Sequence, residues 1–311
     1  MEVSFLSRAY LSSPSSTDLS IYSYKFSESV PLLKNSIRIP SRHQFLPSIS
    51  LNKASPLFRG NSIKVLCSLK KDIPIVEASS MDEIYDALAE RILPTAAAAY
   101  NPNKKHIVGL AGPPGSGKST IASEVVRRVN KLWPQKASSF DSQVDPPDVA
   151  TVLPMDGFHL YRSQLDAMEN PEEAHARRGA PWTFAPNLLL QRLKQLRNEG
   201  SIYVPSFDHG VGDPVEDDIF VSLQHKVVIV EGNYLIMGEG EWNDVSSMFD
   251  EKWFVDVNLD TAMERVLKRH ISTGKPPDVA KWRIAYNDRP NAELIIKSKN
   301  RADLIIKSIN F

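Results

Sequence analysis

Residues 107–119 read IVGLAGPPGSGKS, and this stretch decides the fold. Its first part, residues 107–111, is apolar and too short for a helix, so it predicts a buried strand. Its second part, residues 112–119, fits the pattern G-x-x-x-x-G-K-[ST] at every fixed position, and a helical pattern begins near Lys118. A glycine-rich loop between a strand and a helix binds phosphate through backbone N–H groups and the positive end of the helix dipole. The stretch therefore predicts a site for ATP or GTP.

Each residue type in this loop has its own predicted task. The glycines let the backbone close around the β-phosphate, the Lys118 ammonium reaches the β- and γ-phosphates, and the Ser119 hydroxyl ligates Mg²⁺. The predicted nucleotide-binding residues are Gly112, Pro113, Pro114, Gly115, Ser116, Gly117, Lys118, Ser119 and Thr120.

Outward from the loop, short apolar runs alternate with helical patterns. The runs are residues 150–155, 226–230, 253–257 and 304–306, and the helical patterns are residues 118–131, 187–198 and 261–272. A further helix is predicted to begin after the N-cap Ser80 and to end before Pro94. This alternation predicts an α/β fold of three layers, with a doubly wound parallel sheet whose ligands bind at the carboxyl ends of the strands.

Composition narrows the class of protein. The chain has 311 residues, of which 42% are hydrophobic and 24% charged, with 37 basic and 37 acidic residues. This composition is typical of a globular protein and speaks against a nucleic-acid partner. No apolar run approaches the roughly 18 residues of a membrane span. Cys67 is the one cysteine, which excludes an intramolecular disulfide.

Residues 1–67 differ from the rest of the chain. They contain sixteen serines, and eight basic residues against three acidic ones give them a net charge of +5. They lack the compact apolar core of a secretory signal peptide. The sequence Val65-Leu66-Cys67-Ser68 resembles a stromal cleavage signal, so we expect a chloroplast transit peptide over residues 1–67 and one folded domain over residues 68–311. The alternative is a disordered tail that stays attached.

Two carboxylates follow predicted strands. Asp156 comes after the run 150–155, and Glu231 comes after the run 226–230. In a parallel sheet both strand ends open onto the phosphate crevice. Phosphoryl transfer needs one acid near Mg²⁺ and another that accepts the proton of the attacking hydroxyl, and these two residues can fill those roles.

The motifs around these carboxylates resemble the phosphoribulokinase/uridine kinase family. The resemblance is carried by the phosphate loop, by Met155-Asp156-Gly157-Phe158-His159 and by Val230-Glu231-Gly232-Asn233-Tyr234, and it spans residues 107–306. It implies a P-loop NTPase fold with a helical lid and an ATP- and Mg²⁺-dependent kinase. It also implies that Asp156 is the general base and that Glu231 is the acid near the metal.

Two further stretches resemble the bacterial nucleoside, pantothenate and fructose kinase-like branch. They are residues 177–184, which read RRGAPWTF, and residues 203–217, which begin YVPSFDH. The family has an acid after the phenylalanine of the first stretch, whereas this chain has Ala185. We expect Asn187 to replace that acid if its task is to cap the next helix.

The side chains of these loops suit a small polyhydroxyl or heterocyclic substrate, because they combine cations, aromatic rings and an acid. The predicted acceptor-binding residues are His159, Arg177, Arg178, Trp182, Tyr203, Phe207, Asp208 and His209. Ordinary core packing or a solvated surface is the alternative for each of them.

A basic helix face is the predicted lid. Arg265, Lys268 and Arg269 lie at i, i+3 and i+4, with Lys275 beyond the helix. Like charges at this spacing repel, and a triphosphate would compensate them. With the family resemblance, Arg265 and Arg269 are the expected transition-state cations; the alternative is a solvated face. The resemblance also places residues 287–291 and 298–301 near the adenine.

The sequence thus predicts transfer of phosphate from ATP to a hydroxyl of a small metabolite, as in uridine kinase, with Asp156, Lys118, Arg265 and Arg269 as the catalytic residues. Fructose, pantothenate and glycerate are alternative acceptors. Ribulose 5-phosphate is less favoured because it needs a phosphate clamp, although Arg177 and Arg178 could provide one. An alternative of another class is a regulatory or assembly NTPase without a small-molecule acceptor.

Overall fold

The computed structural model of the protein describes residues 72–94, 104–137, 147–208 and 210–309. These residues belong to one compact unit, Gly60–Phe311. The predicted transit peptide, residues 1–67, lies outside the described ranges, and so does His209. Within those ranges no helix has the length and apolar character needed to cross a membrane.

Eight strands lie in the described ranges. They are β1 (Ile75–Val76), β2 (His106–Ala111), β3 (Ala150–Pro154), β4 (Ile202–Asp208), β5 (Asp213–Val221), β6 (Val227–Gly232), β7 (Glu251–Asp256) and β8 (Leu304–Lys307). Six of them form one sheet in the order β1-β8-β7-β2-β6-β3, and every pairing in it is parallel. This confirms the predicted α/β fold with a doubly wound parallel sheet.

Nine α-helices are described. They are α1 (Met81–Ile92), α2 (Lys118–Ala137), α3 (Arg162–Asp166), α4 (Pro171–Ala176), α5 (Pro186–Glu199), α6 (Gly240–Ser246), α7 (Leu259–Ser272), α8 (Pro277–Arg283) and α9 (Arg289–Ile296). A π-helical turn, Ile284–Asp288, joins the last two. The side chain of Ser80 caps α1 as predicted, since its oxygen accepts from the backbone N–H of Glu83.

The sheet separates two apolar clusters. Along β7, Trp253 belongs to the cluster that contains α1 and α2, whereas its neighbour Phe254 belongs to the cluster under α5 and α6. Successive side chains of a strand point to opposite faces, so a strand buried on both faces is apolar throughout. The molecule therefore has helices on both faces of the sheet, which is the three-layer arrangement expected.

A hairpin replaces what the sequence indicated as a loop. β4 and β5 form a separate antiparallel pair with an irregularity between Val204 and Ser206. The hairpin lies against the turn after β3, where a Cβ on Gly157 would lie 2.0 Å from the carbonyl oxygen of Pro205. Only glycine permits this close approach, which brings β4 beside Asp156.

Candidate active site

Three chain segments meet at the carboxyl ends of the central strands. Glu231 pairs in register with Leu110 of β2 on one side and with Pro154 of β3 on the other. The phosphate loop follows β2, and Asp156 follows β3 by two residues. The loop, Asp156 and Glu231 line one cavity of about 410 Å³. The structure thus brings together the predicted loop and both predicted carboxylates.

The loop has the shape of a phosphate cradle. Gly115 and Gly117 have φ of +78° and +92°, a region that side chains disfavour. A Cβ on Gly115 would lie 2.3 Å from the carbonyl oxygen of Ala262 in α7, whereas a Cβ on Gly117 would meet no atom within 4 Å. The loop is therefore packed against α7 on one side and open on the other, which fits a bound phosphate.

Lys118 is buried at the start of α2, and its ammonium donates to the carbonyl oxygen of Pro113 at 3.0 Å. Burial lowers the pKa of Lys118 to about 8, while the carboxylates of Glu231 and Asp156 oppose that shift. A desolvated ammonium that points into the loop attracts an anion strongly, because little solvent screens it.

Ser119 and Glu231 form the second polar pair of the loop. The Ser119 hydroxyl donates to Glu231 Oε1 at 3.1 Å. Burial raises the pKa of Glu231, the nearby Asp156 also raises it, and Lys118 and the Ser119 hydrogen bond lower it. A hydroxyl beside a carboxylate is an oxygen donor set of the kind that Mg²⁺ prefers. Among the described residues, no three or more His, Cys, Asp or Glu side chains are grouped so that they could hold a metal ion.

Asp156 stands between two cavities. It lies on the short turn Met155–Phe158, whose backbone bends so that His159 N–H donates to the carbonyl oxygen of Asp156 at 3.2 Å. Asp156 lines the cavity at the phosphate loop and also a second cavity of about 560 Å³. A group with access to both cavities is placed to act on an atom that passes between them.

An aromatic stack forms one wall of the second cavity. The His159 ring lies 3.9 Å from the Phe184 ring and 4.7 Å from the Phe207 ring, measured between centroids. The Arg178 guanidinium lies 5.6 Å from the centroid of Phe207. Three predicted acceptor-binding residues, His159, Arg178 and Phe207, therefore line this cavity together.

Four other predicted acceptor residues do not line it. The guanidinium of Arg177 donates to the carbonyl oxygen of Tyr286, and Trp182 is 47% exposed. Tyr203 is 52% exposed and packs on Phe220, with 4.6 Å between ring centroids. Asp208 caps the hairpin turn, since its Oδ1 accepts from the N–H groups of Gly210 at 2.7 Å and Val211 at 3.1 Å. The strand alternation of β4 turns Tyr203 outward, away from the buried Val204.

The helix α7, which the sequence predicts as the lid, contributes to the wall of the first cavity. Arg265 and Arg269 both line that cavity, and Arg269 also lines the second one. Arg265 donates to the carbonyl oxygen of Gly115 at 3.3 Å. Lys268 is exposed and lines neither cavity. The structure brings two of the three cations of this helix face to the site.

Several lining residues of the second cavity were not singled out as acceptor residues from the sequence. They are Arg162, His175, His270, Lys275, Arg283, Asn287, Asp288 and Asn291. Of residues 287–291, which the family resemblance places near the adenine, Asn287, Asp288 and Asn291 line the second cavity. His270 and Asp288 are both buried there, with 2.8 Å between Nε2 and Oδ2.

Ala185 stands where the family has an acidic residue, and it lies at the start of α5. Ala185 occupies the N-cap position of α5 and makes no side-chain cap. Asn187 does not replace the cap as expected, because its amide donates to the carboxylate of Glu241. The backbone N–H of Ala185 donates to the carbonyl oxygen of Phe158 at 2.8 Å, which ties the start of α5 to the turn of Asp156.

Comparisons with known proteins agree with this geometry. Residues 107–310 match the model described as "Phosphoribulokinase / Uridine kinase family". "Putative uridine kinase C227.14" of Schizosaccharomyces pombe is 34% identical over 246 residues, which cover 78% of this chain and 95% of that protein. "ATP-dependent kinase YFH7" of Lachancea thermotolerans is 28% identical over 285 residues, 78% of each chain. A crystal structure described as a "putative fructose transport system kinase" from Silicibacter sp. TM1040 superposes with a TM-score of 0.58 at 26% identity, covering 73% of this chain and 99% of that one.

Proposed function

Because the chain belongs to the phosphoribulokinase/uridine kinase family of P-loop ATP-dependent kinases, we propose that it transfers the γ-phosphate of ATP to a hydroxyl of a small metabolite. The observation that carries the proposal is the position of Asp156, which lines both the phosphate-loop cavity and the second cavity. ATP lies in the first cavity and the acceptor in the second, so the two substrates meet at this carboxylate.

Asp156 acts as the general base. Its carboxylate accepts the proton of the acceptor hydroxyl as the acceptor oxygen forms a bond to the γ-phosphorus. The bond between that phosphorus and the β–γ bridging oxygen breaks, and ADP leaves. Because both substrates are bound next to Asp156, the attack is effectively unimolecular. This lowers the activation barrier of transfer without a covalent intermediate on the protein.

Three cations act on the charge that moves during transfer. Lys118 lies under the loop, and Arg265 and Arg269 reach the same cavity from α7. Their charges are fixed before the reaction, so they stabilise the transferring phosphoryl group without rearrangement. Ser119 and Glu231 are the residues that would hold Mg²⁺, which when bound neutralises phosphate charge.

The location proposed for this activity is the chloroplast stroma, on the basis of the composition of residues 1–67.

The acceptor candidates come from the names of the relatives and from the sequence. Uridine and fructose appear in the names of two similar proteins, and pantothenate and glycerate are further candidates. A regulatory or assembly NTPase is the candidate of another class. The second cavity, which Asp156 also lines, favours a kinase with a small acceptor over a regulatory or assembly NTPase. A nucleotide-dependent switch needs no carboxylate at the wall of a separate cavity.

The test is ADP release by the purified protein with ATP and Mg²⁺, with and without uridine, cytidine, fructose, pantothenate, glycerate or ribulose 5-phosphate. At least one acceptor should stimulate release, and Asp156→Asn should remove the stimulation. Asp244→Asn is the matched control, since Asp244 is an exposed aspartate of α6 that lines neither cavity. ADP release that no acceptor stimulates, or that survives Asp156→Asn, contradicts the proposal.

A further inference from the structure

The wall of the second cavity carries more positive than negative charge. The cations that line it are Arg162, Arg178, Arg269, Lys275 and Arg283. Two acids line it as well, Asp156 and Asp288, and Asp288 is already hydrogen-bonded to His270. A neutral polyol needs no such excess, whereas an anionic acceptor would be attracted and held by it.

Two of these guanidinium groups lie on either side of Gly212. A Cβ on Gly212 would lie 3.9 Å from Nη1 of Arg162 and 4.0 Å from Nη1 of Arg178. The two nitrogens are therefore at most about 8 Å apart. Two hydrogen bonds of about 2.8 Å to different oxygens of one phosphate or carboxylate group reach about 8 Å at most, so one anion can contact both nitrogens only within this limit. Because Gly212 has no side chain, it leaves the space beside both groups open.

The hairpin makes hydrogen bonds to both arginines. Asp213 Oδ1 accepts from the backbone N–H of Arg162 at 2.8 Å and from Nη2 of Arg178 at 3.1 Å. Nη2 of Arg178 also donates to the carbonyl oxygen of Leu160 at 2.8 Å. The buried Nε of Arg178 has no hydrogen-bond partner among the described residues. Because Nη2 of Arg178 is already held, little ordering of this side chain is left to do when an anion binds at Nη1.

A short row of contacts connects this pair to Asp156. Nδ1 of His159 lies 2.8 Å from the carbonyl oxygen of Asp156, the His159 ring stacks on Phe207, and Arg178 lies over the same Phe207 ring. This row of contacts runs along the wall that an acceptor in the second cavity would meet, from the turn of Asp156 to the arginines. Both ends lie in one cavity of about 560 Å³.

We propose that the acceptor is a small anionic hydroxy compound, with a phosphate or carboxylate group bound between Arg162 and Arg178 and with the reacting hydroxyl at Asp156. This rests on the proposed kinase function and narrows it. Uridine, cytidine and fructose carry no such group, so they are not the preferred acceptors.

The first experiment compares acceptors by charge. Glycerate and pantothenate represent carboxylates, ribulose 5-phosphate represents phosphate esters, and uridine and fructose represent neutral acceptors. An anionic compound should give the highest kcat/KM. Arg162→Gln should raise its KM about ten- to hundredfold, because hydrogen bonds to charged groups are of that strength. Arg162→Lys should raise the KM less than Arg162→Gln does. Arg127→Gln removes an exposed arginine of α2 that pairs with Glu124, and it should change nothing.

The second experiment needs no turnover. The protein is saturated with Mg²⁺ and a non-hydrolysable ATP analogue, so that the phosphate loop is filled, and is titrated calorimetrically with inorganic phosphate. Binding should weaken at least about tenfold in Arg162→Gln and stay unchanged in Arg127→Gln.

The outcomes separate the two proposals. Preferred turnover of a neutral acceptor overturns the anionic acceptor and leaves the kinase function intact. Phosphate binding that depends on Arg162, without turnover of any acceptor, supports the anion site and counts against the kinase function. If the protein turns over no acceptor and also binds no phosphate, both proposals are overturned.

Discussion

Raising the pH above 8 should weaken ATP binding through the deprotonation of Lys118. Burial lowers the pKa of this ammonium to about 8 in the nucleotide-free protein. Bound phosphates add negative charge beside Lys118 and raise its pKa again, so binding above pH 8 requires uptake of a proton. Affinity is therefore full below pH 8 and falls as the pH rises through this value.

The expected change in the Kd for ATP follows from the pKa of Lys118, which is about 8. If Lys118 stays protonated in the complex, Kd for ATP rises about 25-fold between pH 7.5 and pH 9.5, or about 2 kcal/mol of binding free energy. The assay is equilibrium titration with MgATP at half-unit pH steps. Lys118→Met should bind ATP more weakly and show no such pH dependence. Lys268→Met is the matched control, because Lys268 is an exposed lysine of α7 that lines neither cavity, and it should keep the dependence.

A second buried lysine makes one further control necessary. Burial also lowers the pKa of Lys105 to about 8, and Lys105 precedes β2, at the opposite end of the strand from the phosphate loop. Circular dichroism at each pH shows whether the fold is unchanged. A constant Kd up to pH 9.5 in the folded wild type, or the same rise in Lys118→Met, would refute the reasoning.

Three substitutions test other parts of the account. Gly157→Ala places a Cβ 2.0 Å from the carbonyl oxygen of Pro205, so thermal denaturation should show a loss of about 1–3 kcal/mol of stability; an unchanged Tm would contradict the close approach. Tyr203→Ala removes only the exposed stack on Phe220, so kcat/KM should stay within about twofold while stability falls by about 0.5–1.5 kcal/mol. A tenfold loss of kcat/KM would instead place Tyr203 at the acceptor. Arg269→Gln should lower kcat about 10²–10³-fold with a smaller effect on ATP binding. Weaker ATP binding with an unchanged kcat would contradict this role, because it is the effect of losing a contact that is equally strong in the ground state and the transition state.

The sheet and the nucleotide side of the site were accessible from the sequence because their signals are local. The phosphate loop needs glycines at fixed spacing, and a strand buried on both faces is a continuous apolar run. Asp156 and Glu231 follow such runs directly. The parallel arrangement then requires their strand ends to lie at one edge of the sheet, which the register around Glu231 shows.

The hairpin could not be recognised in the same way. β5 contains the consecutive acids Glu216, Asp217 and Asp218, which are exposed, so it lacks the alternation of a half-buried strand. β1 has only two residues and gives no periodic signal. Such elements are stabilised by contacts distant in sequence rather than by their own pattern.

The acceptor side depends on those distant contacts. Arg162 lies in a five-residue helix without a motif. Asp213 of the hairpin, which is distant in sequence from both arginines, accepts from the backbone N–H of Arg162 and from Nη2 of Arg178. Tyr203 was expected at the acceptor as an aromatic residue in a family-like stretch. Its position in β4 turns it outward, which becomes visible only once the strand is known.

The central claim is that the γ-phosphate of ATP goes to an acceptor hydroxyl under the control of Asp156. The most direct measurement is ³¹P NMR of the complete reaction with ATP, Mg²⁺ and the most stimulating acceptor, for the wild type and for Asp156→Asn. The wild type should form equal amounts of ADP and of one phosphate monoester. In Asp156→Asn, ATP should still bind, and the monoester should form about 10²–10⁴-fold more slowly. Inorganic phosphate as the main product with every acceptor, or undiminished monoester in Asp156→Asn, would contradict it.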